Sequence, residues 1–221
     1  MTVTVAAEHN AQVTDGSSGA MRGPVGFDLD MTLIDSRSAI LASFAEVSRE
    51  TGTAIDLDAV DRRLGVKLED ELAFWFTPDQ FAAATGIYRR HYLRVSERMT
   101  TVLPGAHEAL AAVRAAGQRA VIITAKHMVS VEPSLKAAGL EADEVFSFVH
   151  GPEKAAVLRR LQAAAYVGDS PPDMAAAVDA AKFTEIAGTI AGDDTVLVIA
   201  PDSKTAESLR TRFLKFVNPS R

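Results

Sequence analysis

Residues 25–30, Val25-Gly26-Phe27-Asp28-Leu29-Asp30, are an apolar run that passes directly into two carboxylates. Short apolar stretches of this kind read as buried strands, here over residues 25–29. In extended backbone, residues two apart face the same side, so Asp28 and Asp30 emerge together at the strand's end. Two bare carboxylates ~4 Å apart repel by about 4 kcal/mol at an effective dielectric of ~20. The pair must therefore share a proton or hold a cation between them.

Downstream of Pro104-Gly105 the chain alternates. A helix through Leu110 and Val113 stops at Gly117; strands are expected over 120–123, 145–149 and 165–167, with helices over 131–138, 152–161 and 172–181 between and after them. Alternation of this kind predicts an α/β fold, a Rossmann-like parallel sheet flanked by helices. Residues 36–100 carry no strand pattern. Phe81, Ala84, Tyr88, Tyr92 and Val95 recur at helical spacing behind the capping sequence Thr77-Pro78-Asp79-Gln80, and Ile40, Leu41, Phe44 and Val47 mark an earlier helix. This block is expected as a helical insertion between the first and second strands, with the α/β core formed by 23–35 and 101–221.

Ligands of such sheets sit beyond the carboxyl ends of the strands. The residues there are Asp28 and Asp30, Thr124, Lys154 at the start of the next helix, and Asp169 with Asp173. Carboxylates without nearby His or Cys favour Mg2+ over zinc. The set suits phosphoryl transfer: one carboxylate attacks phosphorus, the other protonates the leaving oxygen and then activates water. Thr124 would donate a hydroxyl hydrogen bond to the phosphoryl group, and Lys154 a point charge.

Composition narrows the choice. Apolar residues make up 48% of the chain and charged residues 24%, as in ordinary globular proteins. A net charge of -6 leaves no basic footprint for nucleic acid or anionic membrane. The absence of cysteine excludes disulfides, thiolate catalysis and cysteine-ligated metal centres, and with no long apolar run near the start it points to the cytoplasm. Residues 1–22, small and polar, are expected as a flexible N-terminal tail.

The run Phe27-Asp28-Leu29-Asp30-Met31-Thr32-Leu33-Ile34-Asp35-Ser36 resembles the first motif of the haloacid dehalogenase superfamily. Ile122-Ile123-Thr124 resembles its second, Lys154 its third, and Val167-Gly168-Asp169-Ser170-Pro171-Pro172-Asp173-Met174 its fourth. The resemblance spans about residues 24–181 and implies a Mg2+-dependent phosphatase acting on a small phosphorylated metabolite. It implies Asp28 as nucleophile and metal ligand, Asp30 as acid/base that offers its backbone carbonyl to the metal, Asp169 as a ligand and Asp173 in support. Aspartate at position 30 points to the phosphatases rather than the dehalogenases, and the insertion resembles the helical cap of phosphoglycolate-phosphatase-like members. A phosphomutase of the same superfamily is the alternative enzyme. In two places the pattern departs: Met31 stands where relatives usually have glycine, and the short spacing from Lys154 to Asp169 leaves Lys126 as a second candidate for the phosphate.

Residues 182–217 differ from the familiar ending of that superfamily. Ile186-Ala187-Gly188-Thr189-Ile190-Ala191-Gly192-Asp193-Asp194-Thr195-Val196-Leu197-Val198-Ile199-Ala200 and a helix expected over 204–216 resemble the C-terminal end of bacterial arginine repressors, where paired aspartates contact arginine at a trimer interface. A regulatory, arginine-binding protein is the reading this would favour. The plainer expectation is two strands, over 184–190 and 195–199, that extend the main sheet around a turn. Single residues have plain readings too: Thr124 as a helix cap, Asp173 as a helix-start carboxylate, Trp75 as core. Arg62, Arg63, Lys67, Arg89 and Arg90 could clamp a second anion but read first as a solvated helix face. His91, His107, His127 and His150 show no ligand spacing.

Overall fold

The computed structural model describes residues 3–6, 23–181, 188–191, 196–200 and 202–209. In chain order its elements are strand β1 (Val3–Ala6), β2 (Val25–Phe27), β3 (Ile34–Asp35), helices α1 (Arg37–Thr51), α2 (Leu57–Arg62), α3 (Leu68–Leu72) and α4 (Phe81–Met99), then β4 (Thr101–Val102) and α5 (Ala106–Ala115). There follow β5 (Ala120–Ile123), α6 (Met128–Ala138), β6 (Glu144–Phe146), α7 (Pro152–Leu161), β7 (Ala165–Gly168), α8 (Pro171–Ala180), β8 (Gly188–Ala191) and β9 (Val196–Ile199). No described helix is long and apolar enough to cross a membrane.

The main sheet has the order β1-β7-β2-β5-β6. Four of its strands are parallel, with Phe27 paired to Ile122 on one side and Val167 on the other, and β1 runs antiparallel along β7. Period-two alternation sends successive residues of β5 to opposite faces. Ala120 and Ile122 join a core with Phe27, Leu110 and Val131, under α5 and α6, while Val121 and Ile123 join Leu158, Tyr166 and Ala177, under α7 and α8. Gly26 permits the second packing: a Cβ there would stand 2.8 Å from the Tyr166 ring and 3.1 Å from the Leu158 side chain. The mostly parallel, helix-flanked sheet expected from the alternation is therefore present.

The helical segment between β3 and β4 has its own apolar cluster, in which Phe44 meets Tyr88 edge-on at 5.0 Å and Leu72, Phe76 and Tyr92 are buried. Its chain enters and leaves through adjacent strands, β3 pairing antiparallel with β4. The capping box of Thr77 and Gln80 starts the approach to α4 as the sequence suggested.

Several expectations need correction. Residues 3–6 are not part of a tail; they pair with β7 from Val3 opposite Gly168 to Ala6 opposite Ala165, covering an edge that would otherwise present unpaired amides and carbonyls. The rest of the expected tail lies outside the described residues. The third core strand stops at Phe146 rather than continuing to residue 149, because the amides of Phe148 and Val149 turn back onto the carbonyls of Lys126 and Thr124, at 3.0 and 2.9 Å. Finally, β8 and β9 do not extend the main sheet. They form a separate antiparallel pair with Gly188 opposite Ile199. The sheet edge next to α8 is already taken by β1, and the hairpin instead meets α8, where the Thr189 hydroxyl donates to Asp179 at 2.8 Å. Asp193 and Asp194 lie outside the described residues, and of the expected terminal helix residues 203–209 are described as helical.

Candidate active site

Asp28 sits just past the end of β2, its amide donating to the Val167 carbonyl at 2.8 Å, so the sheet itself places it. Leu29 is fully buried. The chain then reverses through Asp30, Met31 and Thr32, with the amides of Leu33 and Ile34 both returning to the Leu29 carbonyl, at 2.9 and 3.1 Å. Met31 occupies the left-handed region at φ 62. Such a conformation costs a residue with a Cβ roughly 1–2 kcal/mol, which accounts physically for glycine being the easier choice there.

The Asp28 and Asp30 carboxylates turn to different partners. Each has its own lysine. Lys154, only 3% exposed, donates to Asp28 at 2.8 Å and to Asp173 at 2.6 Å. Lys126 donates to Asp30 at 2.6 Å and to the Tyr92 hydroxyl at 2.7 Å. The Ser36 hydroxyl also donates to Asp30, and the Tyr92 hydroxyl in turn meets that of Ser134 at 3.0 Å. Lys154 and Lys126 thus each serve one of the two aspartates.

Asp28, Asp169 and Asp173 bring carboxylate oxygens within 4.8 Å of one another. The Asp30 carboxylate is not among them; it accepts from Lys126 and Ser36 instead. Thr32 donates to Asp169 at 2.7 Å. Asp173 accepts from Ser170 at 2.6 Å and from Tyr166 at 3.1 Å. Gly168 makes room for this carboxylate, because a Cβ at that position would stand 2.5 Å from the Cβ of Asp173.

Burial pushes the Asp28 carboxyl up to about 7, against the pull of Lys154. For Asp173 burial acts in the same direction, but Lys154 and the hydroxyls of Ser170 and Tyr166 outweigh it and hold the group below the usual carboxylate range. Burial works against the charge of Lys154, and Asp28 and Asp173 together overcome it, raising that ammonium. Lys126 is raised in the same way, burial being overcome by Asp30 and Tyr92. Three clustered carboxylates with one ammonium leave an excess of negative charge, and an all-oxygen set of this kind fits a hard divalent cation such as Mg2+.

Thr124, 1% exposed, closes the floor; its hydroxyl accepts from the Lys126 amide at 3.2 Å. A cavity opens above Asp28, Asp30, Thr124 and Lys126, and its opposite wall comes from the helical segment, with Phe44, Tyr88 and Tyr92 among its residues. Asp28, Asp30, Thr124, Lys126, Lys154, Asp169 and Asp173 therefore all meet at one end of the sheet. Of the basic residues in the helical segment, Arg63 and Arg89 reach the cavity, while Lys67 pairs with Glu153 at 2.7 Å and Arg90 with Glu50 at 3.4 Å. Trp75 packs against the segment's own core and donates to Glu71 at 3.0 Å. Sequence reasoning did not single out Ser36, Tyr92, Ser134 or Tyr166 as members of the site. Tyr92 was visible only as one position of an apolar stripe, and periodicity cannot show that its hydroxyl reaches a lysine of another element.

Comparison with known proteins bears on both parts of the chain. The pattern of the haloacid dehalogenase-like hydrolases matches residues 25–177. A protein of Caldanaerobacter subterraneus named as the pyrophosphatase PpaX is 29% identical over 167 residues, covering 68% of this chain and 74% of the relative. A haloacid dehalogenase-like hydrolase from Streptococcus pneumoniae, of solved structure, superposes with a TM-score of 0.60 at 22% identity over 72% of this chain and 81% of its own. The C-terminal domain pattern of arginine repressors matches residues 172–215. The arginine repressor of Solibacter usitatus is 54% identical over 41 residues, which is 19% of this chain and spans 28% of that repressor.

Proposed function

Because this chain belongs to the haloacid dehalogenase-like hydrolase family, we propose that it is a Mg2+-dependent phosphatase that hydrolyses a small phosphomonoester through a phosphoaspartyl intermediate on Asp28. The observation that carries the reading is the convergence of Asp28, Asp30, Asp169, Asp173 and Lys154 around one small cavity at the end of the central strand, next to the cavity under the helical segment, which Asp28 and Asp30 also line.

The Asp28 carboxylate attacks phosphorus in line as the bond from phosphorus to the leaving oxygen breaks, and Asp30 gives its proton to that oxygen. Asp30 then takes a proton from water, the water oxygen bonds to phosphorus, and the bond from phosphorus to the Asp28 oxygen breaks, releasing phosphate. Lys154 and Thr124 hold the phosphoryl oxygens during both displacements, and Lys126 with Ser36 keeps the Asp30 carboxylate aimed at the leaving group. Mg2+, held by Asp28, Asp169, Asp173 and the Asp30 backbone carbonyl, would neutralise phosphoryl charge. The helical segment acts as a cap that limits water in the first step and admits it for the second.

Phosphate release from a panel of metabolite esters, with Mg2+ and after chelation, tests this directly. Release that persists undiminished without metal would sink the reading, and isomer formation without net phosphate would indicate the mutase. A pH effect follows as well. Asp28 holds a proton in the fold up to about pH 7 but has lost it in the unfolded chain above 3.8, so the metal-free fold loses stability as pH rises through that window. Proton and Mg2+ compete for the same oxygen. The rise in melting temperature caused by Mg2+ is therefore expected to be larger at about pH 8 than at about pH 5.5, as read by calorimetric scans; equal shifts would place the ion elsewhere.

The repressor-like segment serves a structural purpose in this reading. It begins on α8, the helix that carries Asp173, and its hairpin is tied to that helix through Thr189 and Asp179. Titration calorimetry with arginine is expected to show no binding in the micromolar range. Clear micromolar heat would favour the regulatory alternative.

A further inference from the structure

Lys126 can hold Asp30 still only if something other than Asp30 holds Lys126. A lysine side chain is long and flexible, and its ammonium settles where acceptors fix it. Among the described residues that ammonium donates to Asp30 Oδ1 at 2.6 Å and to the Tyr92 hydroxyl at 2.7 Å. Tyr92 is fully buried in α4, its ring stacked on that of Tyr88 with centroids 5.9 Å apart, and its hydroxyl meets Ser134 of α6 at 3.0 Å. The direction of these bonds follows from the two ends of the chain. An ammonium can only donate and a carbonyl can only accept. Lys126 therefore donates to Tyr92, Ser134 spends its own proton on the Ser130 carbonyl at 2.8 Å, and the Tyr92 proton goes to Ser134. Tyr92 thus has no proton to offer Asp30 and reaches it through Lys126. On the far side, Lys126 and Ser36 both donate to Oδ1 of Asp30, so the proton that Asp30 delivers travels on Oδ2.

Resting on the phosphatase reading above, we propose that Tyr92 is a positioning residue for the first displacement: its hydroxyl anchors the Lys126 ammonium, which in turn keeps the Asp30 carboxyl aimed at the leaving oxygen. Tyr92 comes from the helical segment, whereas Asp30 and Lys126 stand on loops of the α/β core, so the aim of the acid depends on how α4 is seated against α6. A misplacement of about 1 Å is enough to cost on the order of 10²-fold in rate. That cost falls on reactions that need the acid. An ester of 4-nitrophenol, whose leaving oxygen departs readily as an anion, gains little from protonation, while an alkyl ester, which would otherwise expel an alkoxide, gains most.

Tyr92→Phe keeps the ring and removes the anchor. The test measures kcat/KM of the full chain with Mg2+ for 4-nitrophenyl phosphate and for the most active alkyl ester of the metabolite panel. Each value is taken as the ratio of variant to unmodified protein. Because kcat/KM extends only to departure of the leaving group, the second displacement, common to both esters, does not enter. The ratio is expected to fall at least about tenfold for the alkyl ester and to stay within about threefold of unity for 4-nitrophenyl phosphate. In a Lys126→Met background, Tyr92→Phe should cause no further loss specific to the alkyl ester, because the residue through which it acts is gone. Equal losses on the two esters would make Tyr92 a packing residue and overturn the proposal, as would no loss on either, or a full alkyl-specific loss in the Lys126→Met background. Should Tyr92→Phe fail to fold, Ser134→Ala, which removes the acceptor of the Tyr92 proton, takes its place: an alkyl-specific loss supports the proposal and equal ratios overturn it. None of these failures touches the phosphatase reading while release by the unmodified chain requires Mg2+ and Asp28. Release from no ester at all overturns both.

Discussion

Asp28→Asn is expected to lower the rate of phosphate release by at least ~10³-fold while the protein stays folded. An amide oxygen is a far weaker nucleophile than a carboxylate and cannot form the acyl phosphate, so the covalent step is lost outright rather than slowed by misplacement. Asparagine has nearly the same shape, and its carbonyl can still accept from Lys154, which retains its bond to Asp173. Moreover, Asp28 is buried and is pushed up to about 7, so above that pH replacing it with a neutral group removes a charge the metal-free fold tolerates poorly. The melting temperature without metal is therefore expected to be unchanged or higher at about pH 8, with the Mg2+-induced rise much reduced. Phosphate release by the variant at a rate near that of the unmodified chain would remove Asp28 from the nucleophile's role.

Lys154→Met should act mainly on the fold. Lys154 is the ammonium that both Asp28 and Asp173 contact, at 2.8 and 2.6 Å, and all three groups are buried. Removing one partner of a buried ionic cluster leaves the others uncompensated, which costs about 3–5 kcal/mol. The loss, read from denaturant unfolding without metal, is expected to be greatest above pH 7 and to shrink as pH falls and Asp28 takes up its proton. Adding Asp173→Asn to Lys154→Met should cost less than the sum of the two single changes, because the second removes a charge that the first orphaned. Additive losses would mean that Lys154 contributes through its packing alone. Activity should fall with either background, since the same ammonium faces the nucleophile.

Which residues belong to this centre was largely readable from the chain. Val25 to Phe27 are apolar and Asp28 ends the run; Ile122 and Ile123 lead into Thr124, and Tyr166 and Val167 into Gly168 and Asp169. Parallel strands feeding helices place all these ends along one edge, so local pattern alone assembles the list. The pairing within the list was not readable. Lys154 lies 126 positions from Asp28 and Lys126 lies 96 from Asp30, and nothing in their immediate sequence says which lysine meets which carboxylate. Nor does strand alternation foretell the reversal at Met31, past which the Asp30 carboxylate accepts from Lys126 and Ser36.

The same division holds elsewhere. The capping box of Thr77 and Gln80, the helix over Pro152–Leu161 and the strand over Ala120–Ile123 are written in their own residues, because capping and periodicity act within a few positions. That Val3–Ala6 would take the edge of β7, displacing the hairpin of β8 and β9 into a sheet of its own, depends on competition for one open edge. The matching of Arg63 with Glu71 and Arg89 with Glu69 likewise depends on which helix faces come together. Short-range geometry and the burial of apolar stripes are determined by sequence alone; the partners of charges and of strand edges are decided only when distant segments meet, since each has several chemically equivalent candidates and only proximity chooses among them.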